Sequence, residues 1–407
     1  MSVPARRLSA FYFFYFAILG SILPFWSLYL RQIGFNAEEI GQLTALMVAT
    51  KIISPFLWGW LADKTGKRLS LIRLTSIFST LLFGGFLFRQ DFVWFAATTI
   101  SFSFFWNASL PQFEAATLFH LEAEPQRYSR IRLWGSIGFI AAVLGVGRFL
   151  DDFNILLLPY IIIALLLCNW LVALCTPEAR VIPHQPEAKP LLKILLSGEV
   201  LAFLLVYMLL QVSHGPYYVF YSVYLAEHGY NTTNTGLLWA LAVCSEILMF
   251  IAVSWLLKLF SVRALLLGSL VLSTVRWFLI AYLADSLPVL ILAQTLHAAT
   301  FGVAHVVAIQ LLFKYFGKQH QGKGQAFYTS LSFGLGGMLG SLYSGHYWDI
   351  LGGQLVYVIA AIASGLALII AFLGVGRNDS HILGIVHPAS PTVNSPAPHR
   401  HKKRTQA

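Results

Sequence analysis

Charge is what this chain has least of: Asp, Glu, Lys and Arg make up 11% of its 407 residues, against roughly a quarter in soluble domains. That deficit excludes a water-soluble globular protein. With 57% hydrophobic residues and a mean hydropathy of +0.71, the chain reads as embedded in a membrane. Cysteine is scarce too. Cys168, Cys175 and Cys244 each fall in an apolar run, which excludes a disulfide framework and leaves packing as their expected role. There is no His-Glu-x-x-His, no phosphate-binding Gly-x-x-x-x-Gly-Lys-[Ser/Thr] and no paired-Cys motif, so no metal site, no cofactor and no enzymatic activity are expected. Alternating strands of ~10 residues, the mark of an outer-membrane barrel, are also missing, and the spans should therefore be helices. The net charge of +10 reads as topology rather than as nucleic-acid binding.

What the chain does contain is a series of long apolar runs. Hydropathy predicts helices over 9–30, 39–62, 70–88, 92–120, 133–150 and 154–175, then over 197–226, 234–257, 263–284, 288–316, 325–348 and 353–375. Residues 176–196 between the two sets carry four prolines and read as a cytoplasmic linker, and 377–407 as a disordered basic tail. Of the 27 Lys and Arg, only Arg31, Arg89 and Arg148 fall in loops of one side, where Glu38, Asp91, Asp151, Asp285 and Asp349 gather. By the positive-inside rule the basic side, with both termini, is cytoplasmic, which requires an even number of spans. The expectation is an all-α membrane protein of twelve transmembrane helices.

The chain also repeats itself. Residues 25–41 (FWSLYLRQIGFNAEEIG) and 220–236 (FYSVYLAEHGYNTTNTG) share seven identical positions at an offset of 195, including a loop Gly and Asn that hydropathy does not require. WGSIGF at 134–139 faces YTSLSF at 328–333 near the same offset. An even unit repeated in one orientation predicts two parallel six-helix bundles, 1–175 and 197–376, which rock about a site at mid-membrane.

Residues 59–68, GWLADKTGKR, resemble the loop signature of the major facilitator superfamily, Gly-x-x-x-Asp-[Arg/Lys]-x-Gly-[Arg/Lys]-[Arg/Lys], at every defined position. The resemblance implies a gating loop of Gly59, Asp63, Gly66 and Arg68, in which Asp63 engages a helix of the opposite half and helps to close the cytoplasmic side. Further strings across nearly the whole chain, LPFWS (23–27), RLWGS (132–136), Gln211 with His214 and Tyr217-Tyr218, VRW (275–277) and the pair His297 and His305, resemble the phenylpropionate permease family. That similarity implies import of aromatic carboxylates with protons. Nucleoside symporters and lactose permease are more distantly similar. The latter has Glu, Arg and His on its eighth, ninth and tenth helices, as Glu246, Arg276 and His305 stand here, but it carries an acid one turn after the His where this chain has Ala308.

Ionisable residues inside a membrane cost ~2.5–3.5 kcal/mol each at a helix centre and usually mark a pathway. Lys51, Glu114, Glu246 and Arg276 are such residues, and the repeat places Lys51 on Glu246. Glu246 and Arg276, on neighbouring predicted helices, are expected to pair, as are Lys51 and Glu114. Gln294, His297, Phe301 and His305 share one helix face, and so do Gln211, His214, Tyr218 and Tyr221. Histidines can exchange protons near neutral pH, and the rings offer flat walls. The glycines at 334, 336, 337, 340 and 345 suit close helix packing.

The expected function is a proton-coupled importer of a small, aromatic organic acid, with Arg276 or Lys51 holding the carboxylate and a proton gradient in place of a cofactor. The expected partners are the substrate, protons and lipid, with the chain a monomer in a bacterial inner membrane. A nucleoside or sugar symporter would need neutral hydrogen-bonding groups, and Asn107, Gln112, Gln211 and Gln294 supply a few. A non-transporting membrane sensor is the alternative of another class.

Overall fold

In a computed structural model, which describes residues 3–121, 124–178 and 192–376, the chain is helical throughout, and there is no strand among the described residues. The first set of helices is α1 (Ala5–Gln32), α2 (Ala37–Thr65), α3 (Arg68–Phe83, prolonged by a 3-10 turn), α4 (Phe92–His120), α5 (Tyr128–Asp152) and α6 (Leu158–Cys175). After one short turn, α7 (Leu192–Leu195), come α8 (Gly198–Ser213), α9 (Gly215–Glu227), α10 (Thr232–Leu259), α11 (Val262–Leu283), α12 (Leu287–His297), α13 (Ala304–Thr329) and α14 (Gly337–Gly374). Two short π-helices, Ala298–Val303 and Ser330–Gly336, join α12 to α13 and α13 to α14.

Among the described residues, ten stretches are long and apolar enough to cross a membrane, so the protein is a multi-pass membrane protein. The last, His320–Gly374, runs for 55 residues and is broken at Gly352, whose φ of 81° only glycine adopts readily. The predicted span 197–226 is likewise two helices, α8 and α9, which meet at His214 where Gly215 and Pro216 follow. The expectations for the tail and most of the linker lie outside the described residues.

The repeat has a structural reason. Asn36 and Asn231, 195 apart, each accept the N3 backbone N–H of α2 and α10 through their side chains. Gly34 and Gly229, at the same offset, both hold φ in the left-handed region, at 103° and 81°. Loop chemistry, not hydropathy, accounts for those matches.

Residues 5–175 pack α1 on α5 and α6, and α4 on α2 and α3; residues 198–374 pack α14 on α8, α9 and α11. Between these sets, α1 meets α9, α2 meets α14 and α5 meets α10. Glycine makes the crossings close: a Cβ on Gly41 would stand 2.7 Å from Gly345 Cα, and one on Gly340 3.0 Å from Gly215 Cα. The expected packing role of Gly340 and Gly345 is thus observed. The cysteines differ from expectation, because Cys175 and Cys244 are exposed rather than packed; a thiol is apolar enough to face lipid.

Polar contacts seal one end of these crossings. Asp349 accepts from Arg31 (3.0 and 3.3 Å) and from the first backbone N–H of α2, at Ala37 (2.9 Å). Asp151 accepts the backbone N–H groups of Thr232 and Thr233 at the start of α10, at 2.9 and 3.0 Å. A carboxylate at a helix N-terminus meets unpaired amides and the positive end of the dipole.

Candidate functional site

Arg276 is the most deeply buried cation among the described residues, at 0% exposure. Its Nε donates to Ala293 O (2.8 Å), and its Nη groups face His297 Nδ1 (2.9 Å), Thr300 Oγ1 (3.4 Å) and Gln294 Oε1 (3.5 Å). The guanidinium lies over the rings of Tyr217 and Trp277, 4.3 and 4.6 Å from their centroids, a cation–π arrangement. Tyr217 in turn donates to Gln294 Oε1 (2.9 Å). Every face of the guanidinium is occupied.

Glu246 is not paired directly with Arg276, contrary to the expectation from neighbouring helices. His297 of α12 stands between them, with Nε2 2.7 Å from Glu246 Oε1 and Nδ1 toward Arg276. The tautomer follows. An arginine can only donate, so Nδ1 accepts, the ring's proton sits on Nε2, and His297 donates it to Glu246. His297 therefore stays neutral while Arg276 holds it, and Glu246 is the group in this trio free to take a proton. Leu248, Ile251 and Trp255 mark the lipid face of α10 by their exposure, and Glu246 lies on the opposite, inner face.

The ring stripe of the predicted tenth helix survives as a column: His297 stacks near Phe301 (5.4 Å) and Phe301 near His305 (6.2 Å), with interplanar angles of 18° and 8°. The π-helix runs through this column. A π-turn widens the helix by one residue and often sits at a functional site. His305 lines a small cavity with Tyr207, Gln211, Phe301, Tyr328 and Phe333, and its Nδ1 has no partner among the described residues. His214 is fully buried; its Nδ1 meets Leu210 O at 2.8 Å, and its ring stacks on Tyr218 (5.7 Å).

Lys51 and Glu114 do not pair either. Thr50 Oγ1 donates to Ser103 (3.0 Å) and Asn107 Nδ2 to Thr50 (2.8 Å), which sets Lys51 level with residues 103–107 of α4. Glu114 lies seven residues beyond Asn107, about 10 Å along the axis at 1.5 Å per residue. It meets Arg132 of α5 instead, at 3.8 Å, and that guanidinium lies 4.0 Å from the Phe16 centroid. Arg132 reads as topology in the sequence, and nothing there marks it as part of the site.

Lys51 itself faces inward. Ile53, Phe56, Leu57 and Trp60 are exposed on the lipid face of α2. Thr50 and Ser54 reach α4, while Val48 and Ile52 pack at Gly337 and Gly334. Lys51 occupies the remaining face, is exposed there, and has no hydrogen-bond or ion-pair partner among the described residues. It looks into open space between the helices.

In the loop motif, Asp63 pairs with Arg68 of its own loop, not with a helix of residues 192–376. Arg68 Nη1 also donates to Gln112 Oε1 of α4 (2.6 Å), so Asp63 and Arg68 make these contacts within the first set of helices. The glycines fit this geometry: Gly66 caps α2 with φ 65°, and a Cβ on Gly59 would stand 3.3 Å from Gln112 Nε2. Asp63→Ala is expected to slow uptake several-fold with binding affinity unchanged, because the loop lies far from Lys51 and Glu246; parallel initial rates and Kd values check this, and a lost affinity with normal turnover contradicts it.

A bundle of membrane helices around an inward-facing ammonium, carboxyl and imidazole is the architecture of a secondary transporter, and its relatives agree. The family model described as "MFS_1 like family" matches residues 5–359, and the chain belongs to that family of major facilitator transporters. It is 27% identical over 361 residues to a protein of Escherichia coli (strain K12) named "Probable 3-phenylpropionic acid transporter", covering 88% of this chain and 95% of that one. It is also 27% identical over 376 residues to the "Maltose permease" of Geobacillus stearothermophilus, covering 88% and 92%. The fold matches the crystal structure of the nucleoside transporter NupG with a TM-score of 0.80 at 19% identity, over 92% of this chain and 98% of that one.

Proposed function

We propose that the chain is a proton-coupled symporter that imports a small aromatic carboxylate by alternating access. Twelve spans form two six-helix halves, 1–175 and 197–376, with both termini cytoplasmic in a bacterial inner membrane. The sealed end with Asp151 and Asp349 then faces outward, and the conformation is inward-facing. The observation that carries the reading is an unpaired, inward-facing Lys51 together with a Glu246 whose proton-accepting position His297 and Arg276 define. Lys51 is the carboxylate anchor in this reading. Arg276 is not, because its donors are already engaged and no face of it is open.

The aromatic walls of the cavity, Tyr207, Phe301, Tyr328 and Phe333, suit a ring rather than a sugar. Two amides that a nucleoside or sugar could have used are committed elsewhere, Asn107 to Met47 O and Thr50, and Gln112 to Arg68. The name of the E. coli relative points to the same substrate class.

The test is uptake of 3-phenylpropionate into proteoliposomes. An inward proton gradient is expected to drive accumulation, and a sodium gradient at equal pH is expected to drive none; accumulation on sodium alone would sink the reading.

A further inference from the structure

The cavity beside His305 has aromatic walls, yet it is not wholly apolar. We propose that it receives a ring hydroxyl, so that the acid carried is a phenolic one, with His305 and Gln211 as the residues that select it. The proposal rests on the aromatic-carboxylate reading above and deepens it by naming the substituent that the ring bears.

Three polar side chains line this cavity uncommitted: Gln211, Tyr328 and His305. No side-chain hydrogen bond reaches them from any described residue, although Gln211 and Tyr328 are buried and His305 Nδ1 is shut off from solvent. Their polar neighbours are engaged. Tyr207 donates its hydroxyl hydrogen to Ala304 O (2.7 Å), and Thr300 Oγ1 accepts from Arg276 (3.4 Å). The rest of the lining is Leu210, Ala304 and the rings of Phe301 and Phe333. A bare phenyl ring pressed against this wall strips water from the three polar groups and returns no hydrogen bond, which is costly in an apolar surrounding.

A hydroxyl answers these groups. It has one hydrogen to donate and two lone pairs to accept with, so it suits His305 in either tautomer and the Gln211 amide through its oxygen or its nitrogen. Size agrees. The cavity's volume is about 10 Å³, close to the least that admits a single water oxygen; a hydroxyl fits and a methoxy group does not, while the ring itself rests against the aromatic walls. Charge agrees as well. No Lys or Arg lines the cavity, so a second carboxylate on the ring would stand unmatched, whereas a neutral hydroxyl needs no countercharge.

The cavity also adjoins the groups that handle the carboxylate and the proton. His305 lies within electrostatic reach of Glu246. The π-helix Ser330–Gly336 supplies Phe333 to the lining. A Cβ on its Gly336 would stand 3.1 Å from Gln211 Cβ, and one on its Gly334 2.6 Å from Ile52 Cγ1, next in sequence to Lys51. One π-helix therefore packs both on a wall of the cavity and on the turn of α2 that bears the carboxylate anchor.

The experiment measures binding of 3-phenylpropionate and of its meta-hydroxy, para-hydroxy and corresponding methoxy derivatives to the full chain in detergent by calorimetry. Wild type is expected to bind one hydroxy isomer about tenfold or more tighter than the unsubstituted acid, and to bind the methoxy acids no tighter than the unsubstituted one. The ratio of hydroxylated to unsubstituted affinity is then measured in His305→Phe, which keeps a flat ring beside Phe301, and in Gln211→Leu. Because both acids are compared in the same variant, a general loss of binding cancels. The ratio is expected to fall toward one in His305→Phe and several-fold in Gln211→Leu, and a fall in one variant alone identifies that residue as the partner of the hydroxyl. Equal affinity of wild type for hydroxylated and unsubstituted acids, equal affinity for hydroxy and methoxy acids, or a preference unchanged in both variants overturns the proposal while leaving the carboxylate reading intact. If none of these acids binds wild type, both readings fall.

Discussion

Glu246→Gln is expected to reduce proton-driven accumulation to equilibration while exchange of internal for external substrate continues. A 1:1 symporter can accumulate about tenfold per unit of pH gradient, since one pH unit is ~1.4 kcal/mol; without a titrating group that factor falls to one. The substitution is gentle in structure. His297 Nε2 still donates to the side-chain oxygen that replaces Oε1, so the 2.7 Å contact and the tautomer both persist. Net uptake and equilibrium exchange in the same vesicles separate the outcomes. Full accumulation by the variant would move the proton site to another imidazole with an unpartnered nitrogen, His305 or His214.

Arg276→Gln should be the most damaging single change to the fold. Removing one member of a buried charged network costs ~3–5 kcal/mol, and here the loss also takes a donor from Ala293 O and from His297 Nδ1, which now accept from the guanidinium. Thermal unfolding in detergent should show a large drop in Tm. Adding Glu246→Gln should recover little of it, because most of what Arg276 holds is neutral and unaffected by the second change. Full recovery of stability in the double variant would mean that Arg276 serves only to neutralise Glu246. Arg276→Lys is expected to resemble Arg276→Gln, since an ammonium cannot reach the same acceptors or lie flat between Tyr217 and Trp277.

Much of the architecture is legible in the amino-acid order because membrane helices announce themselves by length and apolarity. The predicted 92–120 coincides with α4, and the offset of 195 anticipates the shared caps of α2 and α10. The inward placement of Lys51 is also readable, as a cation in an otherwise apolar stretch. The pairings are not. Adjacent helices suggest Glu246 with Arg276, but which group intervenes depends on where a third helix sets His297, and no spacing within the chain encodes that. Lys51 with Glu114 fails on depth, a matter of how far α2 and α4 slide along each other. Arg132 is hidden because a charge near a helix end reads equally well as topology. The break at His214 does have a signal, Gly215-Pro216, whereas the π-helices have none, since one extra residue in a turn leaves the apolar pattern nearly intact.

Those π-helices lie on one side only. Ala298–Val303 and Ser330–Gly336 belong to the second half, while the described helices of residues 5–175 are α-helical apart from short 3-10 turns. A turn with one residue to spare can pass that residue along the helix, and each step rotates the side chains beyond it by about 100°. The second half can thus re-aim His297 against His305 without bending, whereas the first must move as a stiff body. Deuterium should accordingly enter the backbone amides of 298–303 and 330–336 well before those of α1 or α5, and most quickly while the carrier is turning over.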